Sequence, residues 1–171
     1  MLARTRFAVE VIKSCRSKVG PDFPIVFRYS QWKQQDYAAR LATTPESLAQ
    51  FLALLSDAGV DIFHCSTRRF WEPEFEGSHL NLAGWTKKLT GKPVITVGSV
   101  SLDTDMFAAF RGKDAAITSI DKLIEMFARD EVDLVAVGRA LLVDHEWAAK
   151  VHEDRMQDLL PFTAESMKTL F

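Results

Sequence analysis

Two short sets of residues pair a glycine with groups suited to holding an anion: Gly98-Ser99-Val100 and Gly138-Arg139-Ala140. Each follows an apolar run, so each lies where a strand ends and a helix begins. There a glycine lets backbone N–H groups come close to a ligand, and the helix N-terminus adds the positive end of its dipole. Arg139 contributes a fork of donors matched to phosphate oxygens. The sets read as a phosphate cradle; the plainer alternative is that both glycines only turn the chain and Arg139 pairs with a carboxylate such as Asp144. Arg28 ends another apolar run, where a guanidinium needs an ion-pair partner or a ligand. His64 and Cys65 are adjacent, so in a strand they face opposite ways and cannot form a nucleophile–base couple; core or lining roles are expected for both. Arg68-Arg69-Phe70-Trp71 is a cationic and aromatic stretch suited to covering a flat anionic ligand, with Arg68 and Trp71 as the expected lid or substrate contacts. The alternative is a loop anchored by Trp71. None of Lys13, Lys33, Lys87 or Lys92 falls at a strand end, which argues against Schiff-base chemistry. No catalytic side chain and no metal-ligand set is singled out.

The elements that must position these residues follow a regular alternation. Ile25-Val26-Phe27, Val60 to Cys65, Val94 to Val97 and Val132 to Val137 are short, largely continuous apolar runs, as expected for parallel strands covered on both faces. Between them runs helical spacing. Thr44 and Pro45 open a helix carrying Leu48, Phe51, Leu52, Leu55 and Ala58, and Gly59 closes it. A helix over Thr5 to Lys18 presents Phe7, Val11, Ile12 and Cys15 on one face, and one over Ile120 to Arg129 buries Leu123, Ile124 and Phe127. From Asp144 onward come two short helical patterns, Trp147, Val151 and Met156 on one and Ala164, Met167 and Phe171 on the other, separated by Leu159-Leu160-Pro161. The strand starts are about 35 residues apart, the length of a βα unit. Such units build an open doubly wound sheet or a (βα)8 barrel, and a barrel takes about 250 residues. No Gly-x-Gly-x-x-Gly follows any strand, which favours the barrel, of which 171 residues make about half.

Composition narrows the classes further. With 21 Lys+Arg against 23 Asp+Glu, the chain lacks the basic excess that nucleic acids or anionic membrane surfaces demand. No run approaches 18 apolar residues. The two cysteines, Cys15 and Cys65, have no metal-binding or disulfide spacing, and the start Met-Leu-Ala-Arg-Thr-Arg has no apolar leader, so a reduced, cytoplasmic protein is expected. No linker or low-complexity tract divides it, and residues 1–171 read as one partial barrel domain.

Four ordered stretches resemble one family: Phe27-Arg28-Tyr29-Ser30-Gln31-Trp32-Lys33, Asp61 to Pro73, Pro93 to Val100, and Val135 to Leu142. They are similar to the C-terminal half of the Old Yellow Enzyme family, the FMN-dependent NADH:flavin oxidoreductases and ene-reductases. The resemblance implies helix four to strand eight of a (βα)8 barrel with FMN at its mouth and NAD(P)H as reductant. It implies that Arg28 lies beside the flavin pyrimidine edge, where its charge would stabilise the reduced anionic form. Gly98 and Ser99 would offer backbone amides to the FMN phosphate, with Gly138 and Arg139 completing that site. The family's substrate-holding His-x-x-His or His-x-x-Asn pair is missing, since His64, His79, His145 and His152 are followed three residues on by Thr67, Leu82, Ala148 and Arg155. Two readings result. One is the FMN-binding part of an oxidoreductase that passes hydride to an activated alkene or other acceptor. The other is an inactive remnant or assembly module that at most holds a phosphate or FMN. A half-barrel also leaves strand edges and inner apolar surface uncovered, so a second copy or an N-terminal half is the expected partner.

Overall fold

The computed structural model describes residues 2–168 of the chain. Helix α1 (Leu2–Val19) leads into β1 (Val26–Tyr29), α2 (Pro45–Ala58), β2 (Ile62–Ser66), α3 (Leu82–Thr90) and β3 (Val94–Val97). Short helix α4 (Met106–Phe110) and α5 (Asp121–Ala128) precede β4 (Leu134–Ala136), and α6 (Arg139–Val143) and α7 (Trp147–His152) follow it. Helix α2 forms for the reasons its sequence suggests. Thr44 and Ser47 cap each other's backbone N–H groups, Pro45 occupies the first turn, and Gly59 ends the helix at φ 114°. Its stripe of Leu48, Phe51, Leu52, Leu55 and Ala58 is buried.

The sheet decides between the two architectures. Its four strands are hydrogen-bonded in sequence order, β1-β2-β3-β4, and every pair is parallel. A doubly wound sheet reverses its strand order at a switch point; an unreversed order is the arc of a barrel. The fold is therefore parallel α/β, an arc of (βα) units.

Register sorts the side chains into two faces. Phe27, Phe63 and Val94 form one row and Tyr29, Cys65, Thr96 and Val135 the next, all on one face. Of these, Tyr29, Phe63, Cys65, Val94 and Thr96 are buried. Here the Tyr29 hydroxyl lies 2.6 Å from Thr86 Oγ1 on α3, and Cys65 Sγ donates to the same oxygen at 3.4 Å. The opposite face carries Arg28, His64, Ile95 and Leu134 in one row, with Val26 and Ile62 below them and Ser66, Val97 and Ala136 above. That face is not covered: Val26 is 49% exposed and Leu134 52%. The expectation of strands buried on both sides thus holds for one side only, because nothing among the described residues covers the concave side.

The same open arc changes two helices. On α1, Ile12 is buried, but Phe7 is 77% exposed and Val11 and Cys15 are also exposed, since among the described residues α1 packs mainly against α2. On α5, Leu123 and Met126 are buried while Ile124 and Phe127 face out, one step off the expected stripe. After Asp144, Trp147 is buried on α7, but Ala164–Met167 is a 3-10 turn rather than an α-helix, and Phe171 lies outside the described residues.

Candidate functional site

At the C-terminal end of the sheet a pocket of about 220 Å³ is lined by Arg28, Gly98, Ser99, Gly138 and Arg139 together with Met106. All five residues singled out as a cofactor cradle meet in it, although they come from the ends of three different strands.

The turn after β3 is shaped by its neighbour loop. Gly98 sits at φ +137°, and a Cβ there would lie 2.7 Å from the Thr67 carbonyl oxygen and 2.9 Å from the Arg68 carbonyl carbon. Glycine is thus required at Gly98 by the loop after β2 as much as by any ligand, which modifies the reason for it. Phe70 N–H donates to the Gly98 carbonyl at 3.0 Å. Gly138 is the open position: a Cβ there would meet nothing within 4 Å. Ser99 adopts φ 51°, and its hydroxyl lies 2.9 Å from the Arg68 carbonyl and 2.8 Å from the Thr104 carbonyl, either of which can accept its single proton.

Arg139 is the most informative group. It is only 6% exposed, and its guanidinium donates to the Thr104 carbonyl, to the Thr104 hydroxyl at 3.4 Å and to the Ser99 hydroxyl at 3.3 Å. Its carbon lies 5.2 Å from the centre of the Phe162 ring. All these partners are neutral. The anticipated alternative partner, Asp144, is committed elsewhere: it accepts two 2.9 Å bonds from Lys150 and one from the Leu160 N–H. Burial pulls the Arg139 pKa down, with Asp105 and Asp103 opposing more distantly. An arginine nevertheless stays charged, so among the described residues the pocket floor holds a buried cation without an ion-pair partner.

Arg28 is exposed on the concave face and donates to Ser66 Oγ at 3.2 Å; it makes no structural ion pair among the described residues. His64 is its neighbour in register, and the imidazole Nε2 is buried without a protein partner. Burial, then the Arg28 charge, depresses its pKa, so the ring is neutral beside the cation. Cys65 points the other way, into the core, where burial pushes its thiol up to about 12. The opposite-face reading of this pair is what the structure has.

The two expected lid residues are not brought together. Arg68 is half-buried among aromatic rings and borders the pocket only through its backbone carbonyl. Trp71 stands edge-to-face with Phe70 at 5.2 Å and lines a separate groove of about 150 Å³ with His79, Lys122 and Met126. Sequence reasoning missed Thr104, whose carbonyl and hydroxyl both hold Arg139. Its signal was the next residue, Asp105, which caps α4 by accepting from the Phe107 and Ala108 N–H groups.

The sequence model of the NADH:flavin oxidoreductase / NADH oxidase family matches residues 2–158. The chain belongs to that family. It is 34% identical over 164 residues to an NADH oxidase of Thermoanaerobacter brockii, covering 91% of this chain and 22% of that one. A bilirubin reductase of Clostridium symbiosum is 27% identical over 171 residues, covering 93% and 41%. The chain thus spans well under half the length of these relatives. Among solved structures, the old yellow enzyme homologue from Zymomonas mobilis superposes with a TM-score of 0.66 at 12% identity, covering 98% of this chain and 41% of that one. A 2-naphthoyl-CoA reductase gives 0.62 at 21%, covering 94% and 23%. These two support the barrel arc alone. Among the described residues no helix is long and apolar enough to cross a membrane.

Proposed function

We propose that this flavin-oxidoreductase family chain is the part that binds FMN in a cytoplasmic oxidoreductase using NAD(P)H as reductant and an activated alkene or another small acceptor as substrate. The observation that carries this reading is Arg139: a buried guanidinium with only neutral partners, at the floor of a pocket walled by the Gly98-Ser99 and Gly138 turns. Leaving a cation in such a place is costly unless an anion completes it. A phosphate monoester fits: Arg139 supplies charge, the two turns supply backbone N–H groups, and the open space beside Gly138 admits the group. Arg28 lies on the same pocket, where it would face the polar edge of the isoalloxazine ring.

FMN, when bound, supplies hydride-transfer chemistry. The residues present bind and orient it: Arg139 neutralises the phosphate, Ser99 holds Arg139, and Arg28 brings a positive charge to the concave face, kept single by the neutral His64. Neither described tyrosine stands at the pocket. Tyr29 is buried behind the sheet, and Tyr37 is held by Glu72 at 2.8 Å. That arrangement favours, as the second reading, a chain that holds FMN but turns nothing over until further residues are supplied. Those would come with whatever covers the concave face, either a second copy or a preceding run of βα units.

Titrating the full chain with FMN and with riboflavin, followed by flavin fluorescence, tests the proposal. The phosphate should improve affinity at least tenfold, the value of about one charge-assisted bond. Equal affinities for the two flavins would refute it.

A further inference from the structure

The loop after β2 is the wall against which the cradle is pressed. The Thr67 and Arg68 backbone excludes any side chain at Gly98, Phe70 N–H holds the Gly98 carbonyl, and the Arg68 carbonyl lies 2.9 Å from the Ser99 hydroxyl. Thr67 Oγ1 on the Val97 carbonyl and Asn81 Nδ2 on the Phe70 carbonyl hold this wall to the sheet, and the Arg68 side chain packs it against the neighbouring loops. Its guanidinium carbon lies 3.8 Å from the Tyr37 ring centre, 4.0 Å from Phe107 and 5.0 Å from Trp32. Trp32 and Tyr37 belong to the segment after β1 and Phe107 to α4, so one flat cation joins three loops at the mouth. Arg69 does a different job, donating to Glu72 at 2.8 Å and to the α4 cap Asp105 at 2.9 Å.

We propose that Arg68 is a positioning residue for the phosphate cradle, acting through its own carbonyl on Ser99 and thereby on Arg139. The proposal rests on the phosphate reading given above. The Ser99 hydroxyl has one proton and two carbonyls within reach, those of Arg68 and Thr104. Donated to Arg68, it leaves the Thr104 carbonyl wholly to Arg139 and turns a lone pair toward Arg139 Nη2 at 3.3 Å. If the wall moves, the hydroxyl turns to the second lone pair of the Thr104 carbonyl and its own acceptor side swings away from Arg139. Holding the wall needs a planar cation between ring faces, which a lysine ammonium does not provide.

The test uses the full chain with FMN and riboflavin as probes. Arg68→Met should weaken FMN about tenfold, the scale of a desolvated cation–π contact, and riboflavin less than twofold. Arg68→Lys should resemble Arg68→Met rather than the parent, and Phe107→Leu should lower the same FMN-to-riboflavin ratio. Should Arg68→Met fail to fold, the other two variants carry the test by the same criterion. An unchanged ratio in these variants, or full recovery with lysine, overturns the proposal. A parent chain that shows no preference for FMN overturns the phosphate reading and this inference with it, and is recognised before any variant is made.

Discussion

Replacing Arg139 by Met separates the two roles a buried cation can have. In the ligand-free chain the guanidinium is 6% exposed, and desolvation is the leading influence on its ionisation. Methionine removes that desolvation cost and keeps an unbranched chain against Phe162. It forfeits hydrogen bonds to Thr104 and Ser99, each worth about 0.5–1.5 kcal/mol net, with the Ser99 hydroxyl at 2.8 Å left to donate to the Thr104 carbonyl. These effects oppose one another, so unfolding free energy should move by no more than about 1–2 kcal/mol in either direction. Toward a phosphate the balance is one-sided. A bond to a charged group is worth about 1.5–3 kcal/mol, so losing one weakens FMN roughly 10- to 100-fold at 1.4 kcal/mol per decade. Riboflavin has no phosphate to lose. The assay pairs denaturant unfolding of the ligand-free variant with fluorescence titration of both flavins. A drop of more than about 3 kcal/mol in stability with the FMN-to-riboflavin ratio intact would show Arg139 to be a structural cation and would remove the main support for the site.

Arg28→Ala should retain most of the FMN affinity but lower the flavin reduction potential, because it removes a positive charge that favours the reduced anion; spectroelectrochemistry showing an unchanged potential would dismiss that role. Glu74 has its carboxyl pushed up to about 7 by burial and by Glu72, against Arg40 and a Gln31 hydrogen bond. An acid raised in the fold binds its proton more tightly there than in the unfolded chain. Stability should therefore fall as pH rises from about 4.5 to about 7 and level off above. At about 1.4 kcal/mol per pH unit the loss is at most roughly 3.5 kcal/mol, and Glu74→Gln should flatten the profile of Tm against pH; an identical slope in that variant would dismiss the account. The concave face makes a further demand. At about 25 cal/mol per Å², a few hundred Å² of uncovered apolar surface is worth several kcal/mol, comparable to a domain's net stability. The 171-residue chain on its own should therefore associate or bind a complementary partner in sedimentation velocity at micromolar concentration; a cooperatively folding, monodisperse monomer would contradict this.

That the proposed cradle residues would line one pocket was legible because they obey local rules. Gly98 and Ser99 follow β3 directly and Gly138 and Arg139 follow β4 after one residue, and in parallel α/β architecture strand ends converge on one edge whatever the detailed topology. Helix α2 was legible in the same way, since its cap, proline, stripe and closing glycine all lie within one short stretch. Contacts between loops were not. Nothing in the local pattern around Thr104 says that Arg139 will reach it across 35 positions, and nothing near Arg68 says that its side chain will turn away from the pocket toward Tyr37 and Phe107. The two readings of Trp71 stayed open for the same reason: an aromatic residue beside two arginines fits a lid and a groove wall equally well until the loop's path is known.

The sidedness of the strands was hidden for a different reason, and it bears on what the chain is for. A strand with one wet face alternates polar and apolar residues. Here Val26, Ile62, Ile95, Val97, Leu134 and Ala136 face the open side, as apolar as Phe27, Phe63 and Val94 on the covered side. The sequence is therefore written for strands covered twice, while the 171 residues cover them once. Three groups break that apolar pattern, Arg28, His64 and Ser66, the first two side by side in one row near the mouth. An uncovered surface tolerates a charge anywhere. A surface meant to be covered tolerates one only where something polar meets it, which under the proposed FMN reading would put Arg28 at the boundary between packed interior and bound ligand.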